Sequence, residues 1–167
     1  MKSWFKILAL ALLTGALFLL GPVEGPPASP CSPTEPDMLG PFYTPNAPMR
    51  SSVGKGYVLK GFVRSTDCSP VPGAAIEVWL AGPNGEYDDA HRATIIADSS
   101  ASYRFESNVP LPYGGRPPHI HLRISARGYR TLVTQHYPEA GRTEAAFNVV
   151  LVPSLSPAER ARSRKTR

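Results

Sequence analysis

From residue 57 onward the chain is a succession of short apolar runs cut by turn signals, and no segment sustains a 3.6-residue period. The runs are 57–63, 74–80, 92–97, 102–105, 119–124, 131–135 and 145–152. Between them stand Pro72 and Gly73, the stretch 82–85, Asp98 to Ser100, Gly114 and Gly115, Arg127 and Gly128, and Ala140 and Gly141. The run 74–80 alternates: Ile76, Val78 and Leu80 share one face, Glu77 and Trp79 the other. Seven short strands at this spacing predict an all-β, antiparallel β-sandwich. The 14 Gly and 19 Pro among 167 residues suit strands and turns better than helices. Length allows one domain with its own core. Two cysteines exclude both a disulfide scaffold and a four-cysteine zinc module.

The chain divides into four parts. Residues 1–25 combine a basic start, Lys2 and Lys6, with an uncharged apolar stretch over 7–20. That stretch is shorter than the roughly 20 residues of a membrane span. It reads as a signal peptide, with an N-terminal anchor as the other reading. Residues 26–56 form a Pro-rich arm, 57–153 the sandwich and 154–167 a basic tail. Ser156, Pro157 and Glu159 have capping-box spacing for a short helix in that tail. The net charge of +5 sits at the two ends, because residues 26–157 hold 11 basic and 11 acidic side chains. A neutral body gives no footprint for nucleic acid. Export would place Cys31 and Cys68 in an oxidising compartment, where they either pair and tie the arm to the body or remain independent thiols.

His119 and His121 are the sharpest local feature. Side chains two apart on a strand point the same way, so both imidazoles can face one metal ion. Alone, the pair is a weak signal. Tyr113 lies six residues upstream across Gly114 and Gly115, and Tyr87 follows the turn after the run 74–80. Phenolate is a hard anionic donor that suits a trivalent ion such as Fe(III) better than Zn(II). His91 and His136 read as surface or rim residues. Tyr57, Tyr103, Tyr129 and Tyr137 read as packing tyrosines, Trp79 as structural, and Asp88 with Asp89 as a solvated loop pair.

Ordered motifs then carry a resemblance. They are Gly40 to Tyr43, Ile76 to Trp79, Gly85 to Tyr87, Tyr103 to Phe105, and Tyr113, Arg116, His119 and His121. Over about residues 34–152 the sequence resembles the intradiol ring-cleaving dioxygenases, non-haem Fe(III) enzymes of β-sandwich fold. The resemblance implies Tyr87, Tyr113, His119 and His121 as ligands of a non-haem ferric ion. It implies Arg116 as the active-site arginine, Gln135 as its support, and Tyr43 near the substrate mouth. The implied substrates are a catechol-type aromatic and O2, with ring opening between the two hydroxylated carbons to a muconate. Tyr113 is implied as the phenol that leaves the metal and takes up a substrate proton. A homo-oligomer paired through the arm is compatible with the family.

Three departures stand out. Ala101 occupies a turn position where the family usually has Gly. The loop between Tyr113 and Arg116 is short. The leader points outside the cytoplasm, toward catechols released there. Two rivals remain on the sequence alone. The stretch 61–78 also looks like the opening of transthyretin-like, non-catalytic binding modules. A hydrolytic zinc site could use His119, His121 and a carboxylate such as Asp88.

Overall fold

The computed structural model describes residues 31–155 and, beyond them, residues 159, 162 and 165. The expected leader and the expected cap at residues 156–158 lie outside them. Glu159, Arg162 and Lys165 are helical. Eight strands follow in order: β1 Gly56–Ser65, β2 Ala75–Trp79, β3 Arg92–Ile96, β4 Ser102–Asn108, β5 Ile120–Ser125, β6 Leu132–His136, β7 Glu144–Ala146 and β8 Val149–Leu151. They form two sheets. One has the order β4-β1-β7, with β8 pairing the far half of β1; the other runs β3-β2-β5-β6.

Period-2 patterning builds the core between these sheets. Tyr57, Leu59 and Val63 of β1, Tyr103 and Phe105 of β4, Ile76 and Val78 of β2, and Ile120, Leu122 and Ile124 of β5 all point inward and are buried. Each such side chain stabilises the fold by about 1.5–3 kcal/mol relative to exposure. Residue 101 does adopt a left-handed conformation, with Ala101 at φ 63°. Asp98 anchors the turn, its carboxylate accepting from the Ser100 and Ser102 amides at 2.8 and 2.9 Å.

Two expectations need correction. The run 145–152 is two strands rather than one, and both pair with β1 in parallel, not antiparallel. The ladder breaks where Phe147 passes Gly61, whose place a Cβ could not share with the Phe147 carbonyl oxygen. There the Asn148 side-chain oxygen accepts from the Phe62 amide at 3.0 Å in place of a backbone carbonyl. The Phe62 and Phe147 amides both keep partners across the interruption.

The arm is hydrogen-bonded to both sheets. Thr34 donates to the Val150 carbonyl, Asp37 to Val133, Arg50 to Thr94 and Val53 to Glu106, while Thr94 donates to Pro48. Its first half crosses the outer face of β6, β5 and β2. As a result β5 buries His121 as well as its core residues Ile120 and Leu122. Cys31 and Cys68 are joined in a disulfide, with Cα atoms 5.2 Å apart.

That bridge closes a separation of 37 residues. Chain entropy gives a loop of that size at most about 4 kcal/mol. Urea unfolding of the oxidised and reduced protein should show a loss of about 2–4 kcal/mol on reduction. Coincident curves would mean that the arm's backbone bonds alone hold it.

Candidate active site

The two histidines project from the start of β5 on the face opposite the core. Ile120, between them, is fully buried in the core. The ring of His119 is fixed by Nδ1 donating to the Pro117 carbonyl at 2.7 Å. A carbonyl only accepts, so Nδ1 carries a proton and Nε2 faces the Tyr87 hydroxyl. His119 Nε2 lies 3.1 Å from His121 Nε2 and 3.1 Å from the Tyr87 hydroxyl. His121 is held by packing: Trp79, its register partner on β2, stacks on it at 4.9 Å and 5°. Its buried Nδ1 has no hydrogen-bond partner. Burial, with His119 and Arg116 nearby, pushes His121 down to about 4, so the imidazole is neutral at physiological pH.

The phenols arrive from two loops. Tyr87 follows β2 and is stacked by Phe42 of the arm at 4.4 Å and 9°. Burial raises its hydroxyl to about 12, with Arg116 opposing the shift. The metal-free phenol therefore keeps its proton at neutral pH, and a bound trivalent cation would displace it. Tyr113 and Arg116 exchange backbone hydrogen bonds of 3.2 and 2.9 Å around Gly114 and Gly115, both of positive φ. This two-residue hairpin folds the Tyr113 ring edge-on to both Tyr87 and Phe42, each at 5.2 Å.

All four predicted ligands and Arg116 line one cavity of 210 Å³, with Met38, Gly40 and Phe42 of the arm as its other wall. Two ligands about 2.1 Å from one ion and at right angles are about 3 Å apart. The Tyr87 hydroxyl and His121 Nε2 each stand at that spacing from His119 Nε2. Phenol and imidazole donors together suit a hard, high-valent ion, so the residues present fit ferric iron. The zinc alternative loses its carboxylate. Asp88 instead accepts from the Ala90 and His91 amides and pairs with the His91 ring at 2.7 Å. Among the described residues no three His, Cys, Asp or Glu come together to hold a metal.

Arg116 donates through Nη2 to the Gln135 side-chain oxygen at 2.9 Å, which brings that expected pair together. Tyr43 belongs to the segment beside the cavity but does not itself line it. Its hydroxyl donates to Glu77 at 3.1 Å and its ring packs against Trp79, away from the cavity wall. Neighbouring Phe42, in the turn at residues 41–42, lines the cavity instead. His136 is also no surface residue: it is buried, with Nε2 2.6 Å from the Tyr57 hydroxyl. Trp79 is structural, as expected, but the ring it supports is a candidate ligand.

A family model described as "Dioxygenase" matches residues 43–150. The chain is similar to chlorocatechol 1,2-dioxygenase of Pseudomonas sp. (strain P51), 29% identical over 142 residues, covering 65% of this chain and 57% of the relative. It is 30% identical over 153 residues to hydroxyquinol 1,2-dioxygenase of Rhodococcus opacus, covering 70% and 51%. The chain thus spans about half the length of the curated relatives it matches. Among solved structures, the dioxygenase domain of a dioxygenase carbohydrate-binding fusion from Streptomyces sp. SirexAA-E superposes with TM-score 0.67 at 28% identity, covering 74% of this chain and 100% of that one. Catechol 1,2-dioxygenase of Acinetobacter radioresistens shares the fold, with TM-score 0.68 at 24% identity, covering 77% and 65%.

Two glycines separate backbone strain from contact with the site. Gly40 and Gly73 both have φ +73°, but a Cβ on Gly40 would sit 3.0 Å from His121 Cε1, and one on Gly73 meets nothing within 4 Å. Gly40→Ala and Gly73→Ala should each lower stability by about 1 kcal/mol. Only Gly40→Ala should weaken binding of added ferric ion, by about tenfold, because it alone crowds a candidate ligand ring. Equal ferric affinities in titrations of the two variants would refute the contact.

Proposed function

This chain belongs to the intradiol ring-cleaving dioxygenase family, and from that membership we propose that it opens the ring of a catechol-type aromatic between its hydroxylated carbons, using O2 and a non-haem ferric ion. The observation that carries the reading is the convergence of the Tyr87, His119 and His121 donor atoms at 3.1 Å contacts beside Tyr113 and Arg116. A spacer or binding module has no use for such a cluster, and the transthyretin-like alternative is not favoured.

Tyr87, Tyr113, His119 and His121 would hold the ion. When bound, Fe(III) supplies Lewis acidity, drawing electron density from the catechol oxygens so that the ring can react with O2. The chain's own residues do the rest. His119 and His121 are pre-oriented by the Pro117 carbonyl and the Trp79 ring. Tyr87 is clamped under Phe42, whereas Tyr113 rides on a two-glycine hairpin. Tyr113 is therefore the side chain that can swing aside and, as the phenolate a bound trivalent ion would generate, take up a substrate hydroxyl proton at its Oη. Arg116 reaches the same cavity, where its guanidinium stabilises negative charge developing on the ring. Met38 and Phe42 give the cavity an apolar wall on the arm side. The leader over residues 1–25 and the Cys31–Cys68 bridge both support an oxidising, exported location.

The test is a visible spectrum of the ferric-loaded protein, before and after anaerobic catechol, followed by O2 uptake. The expected result is a reddish tyrosinate band that shifts with catechol, then one O2 consumed per muconate formed. Tyr87→Phe should lose most of the band. Tyr113→Phe should keep part of it but slow turnover about 10²-fold or more, as loss of a proton acceptor does. A protein that stays colourless with Fe(III) would end this reading.

A further inference from the structure

Arg116 stands on a short loop, so its side chain depends on outside partners for its direction. One nitrogen, Nη2, donates both to Gln135 at 2.9 Å and to the Tyr137 hydroxyl at 2.8 Å. The Tyr137 hydroxyl has a single proton, and two acceptors lie within reach. Asp37 Oδ2 is at 2.8 Å and Gln135 Oε1 at 3.1 Å. The nearer one is a carboxylate and takes the proton. Tyr137 thus accepts from the guanidinium and donates to Asp37 in one chain. A hydroxyl that donates to an anion becomes a better acceptor, so the carboxylate strengthens the hold on Arg116.

The arm fixes the other acceptor as well. Gln135 Nε2 donates to the Met38 carbonyl at 2.7 Å, which turns its side-chain oxygen toward Arg116. The Asp37 amide donates to the Val133 carbonyl at 2.9 Å and locks this piece of arm to β6. Gln135 and Tyr137 lie two apart at the end of β6, so both side chains stand on the face that the arm covers.

From this geometry, and resting on the proposed function, we infer that Asp37 and Tyr137 are positioning residues that aim Arg116 into the cavity. They act through the guanidinium and do not touch the reacting atoms. The arm is therefore part of the catalytic apparatus as well as a cover. Their loss lowers the rate of the chemical step and leaves iron binding and catechol affinity unchanged.

The test uses Tyr137→Phe and Asp37→Asn, each made with Arg116 present and in an Arg116→Gln background. The metal-free protein is first labelled with phenylglyoxal, and modification of Arg116 is followed by peptide mass analysis. Labelling should be about tenfold faster in both variants, as expected for release of a charge-assisted hydrogen bond. In the ferric-loaded protein, kcat should fall about tenfold, with anaerobic catechol binding and iron content unchanged. In the Arg116→Gln background the two substitutions should have no further effect. Unchanged labelling, or a loss of kcat that persists in full without Arg116, would overturn the inference. If the wild-type protein turns over no catechol, the proposed reaction falls, while the labelling comparison still decides whether Arg116 is held in this way.

Discussion

A sheet that buries one face in a core leaves the other to water, and this sandwich closes the second face of β2, β5 and β6 with its own N-terminal arm. Everything in the site follows from that covering. The core takes Ile76, Val78, Ile120 and Leu122, so the alternate residues Trp79, His119 and His121 must point outward. Outward imidazoles on an open sheet would be solvated. Under the arm they are buried, with their Nε2 atoms 3.1 Å apart.

The charge state of the metal-free site suits a cation that brings its own compensation. Burial disfavours the charged form of the His121 imidazole, and the phenol of Tyr87 holds its proton. A trivalent ion entering here would convert phenols to phenolates and cancel much of its own charge. The permanent charge nearby is Arg116, and Asp37 faces it across the Tyr137 hydroxyl, its carboxyl held below the usual range. The cationic side chain can therefore lie beside a metal site without leaving a large uncompensated field.

The legible parts were those with short range. Period 2 placed the core residues and made His119 and His121 neighbours; Gly114 and Gly115 announced the hairpin that returns Tyr113. Ala101 stands where the family usually has Gly, and its backbone is left-handed. What failed depended on partners distant in sequence. Tyr43 and Phe42 are adjacent, and only the arm's docking decides which of them faces the cavity. The parallel pairing of β7 and β8 with β1 joins residues 86 positions apart, beyond any local signal. His136 looked like a rim residue until Tyr57 from β1 covered it. Tyr137 was read as packing, although its spacing from Gln135 put both on one face; the missing information was Asp37, 100 residues upstream.

The arm is anchored at both ends, by the bridge from Cys31 to Cys68 and by its continuation into β1. A free tail can peel away from its end, whereas a segment held at both ends moves only by bowing outward. Bowing breaks several hydrogen bonds at once and gains little entropy, because the loop stays closed. Met38, well exposed, stands at the cavity's rim. After any excursion the arm returns as an intramolecular step, so the completeness of the site is independent of how dilute the protein becomes.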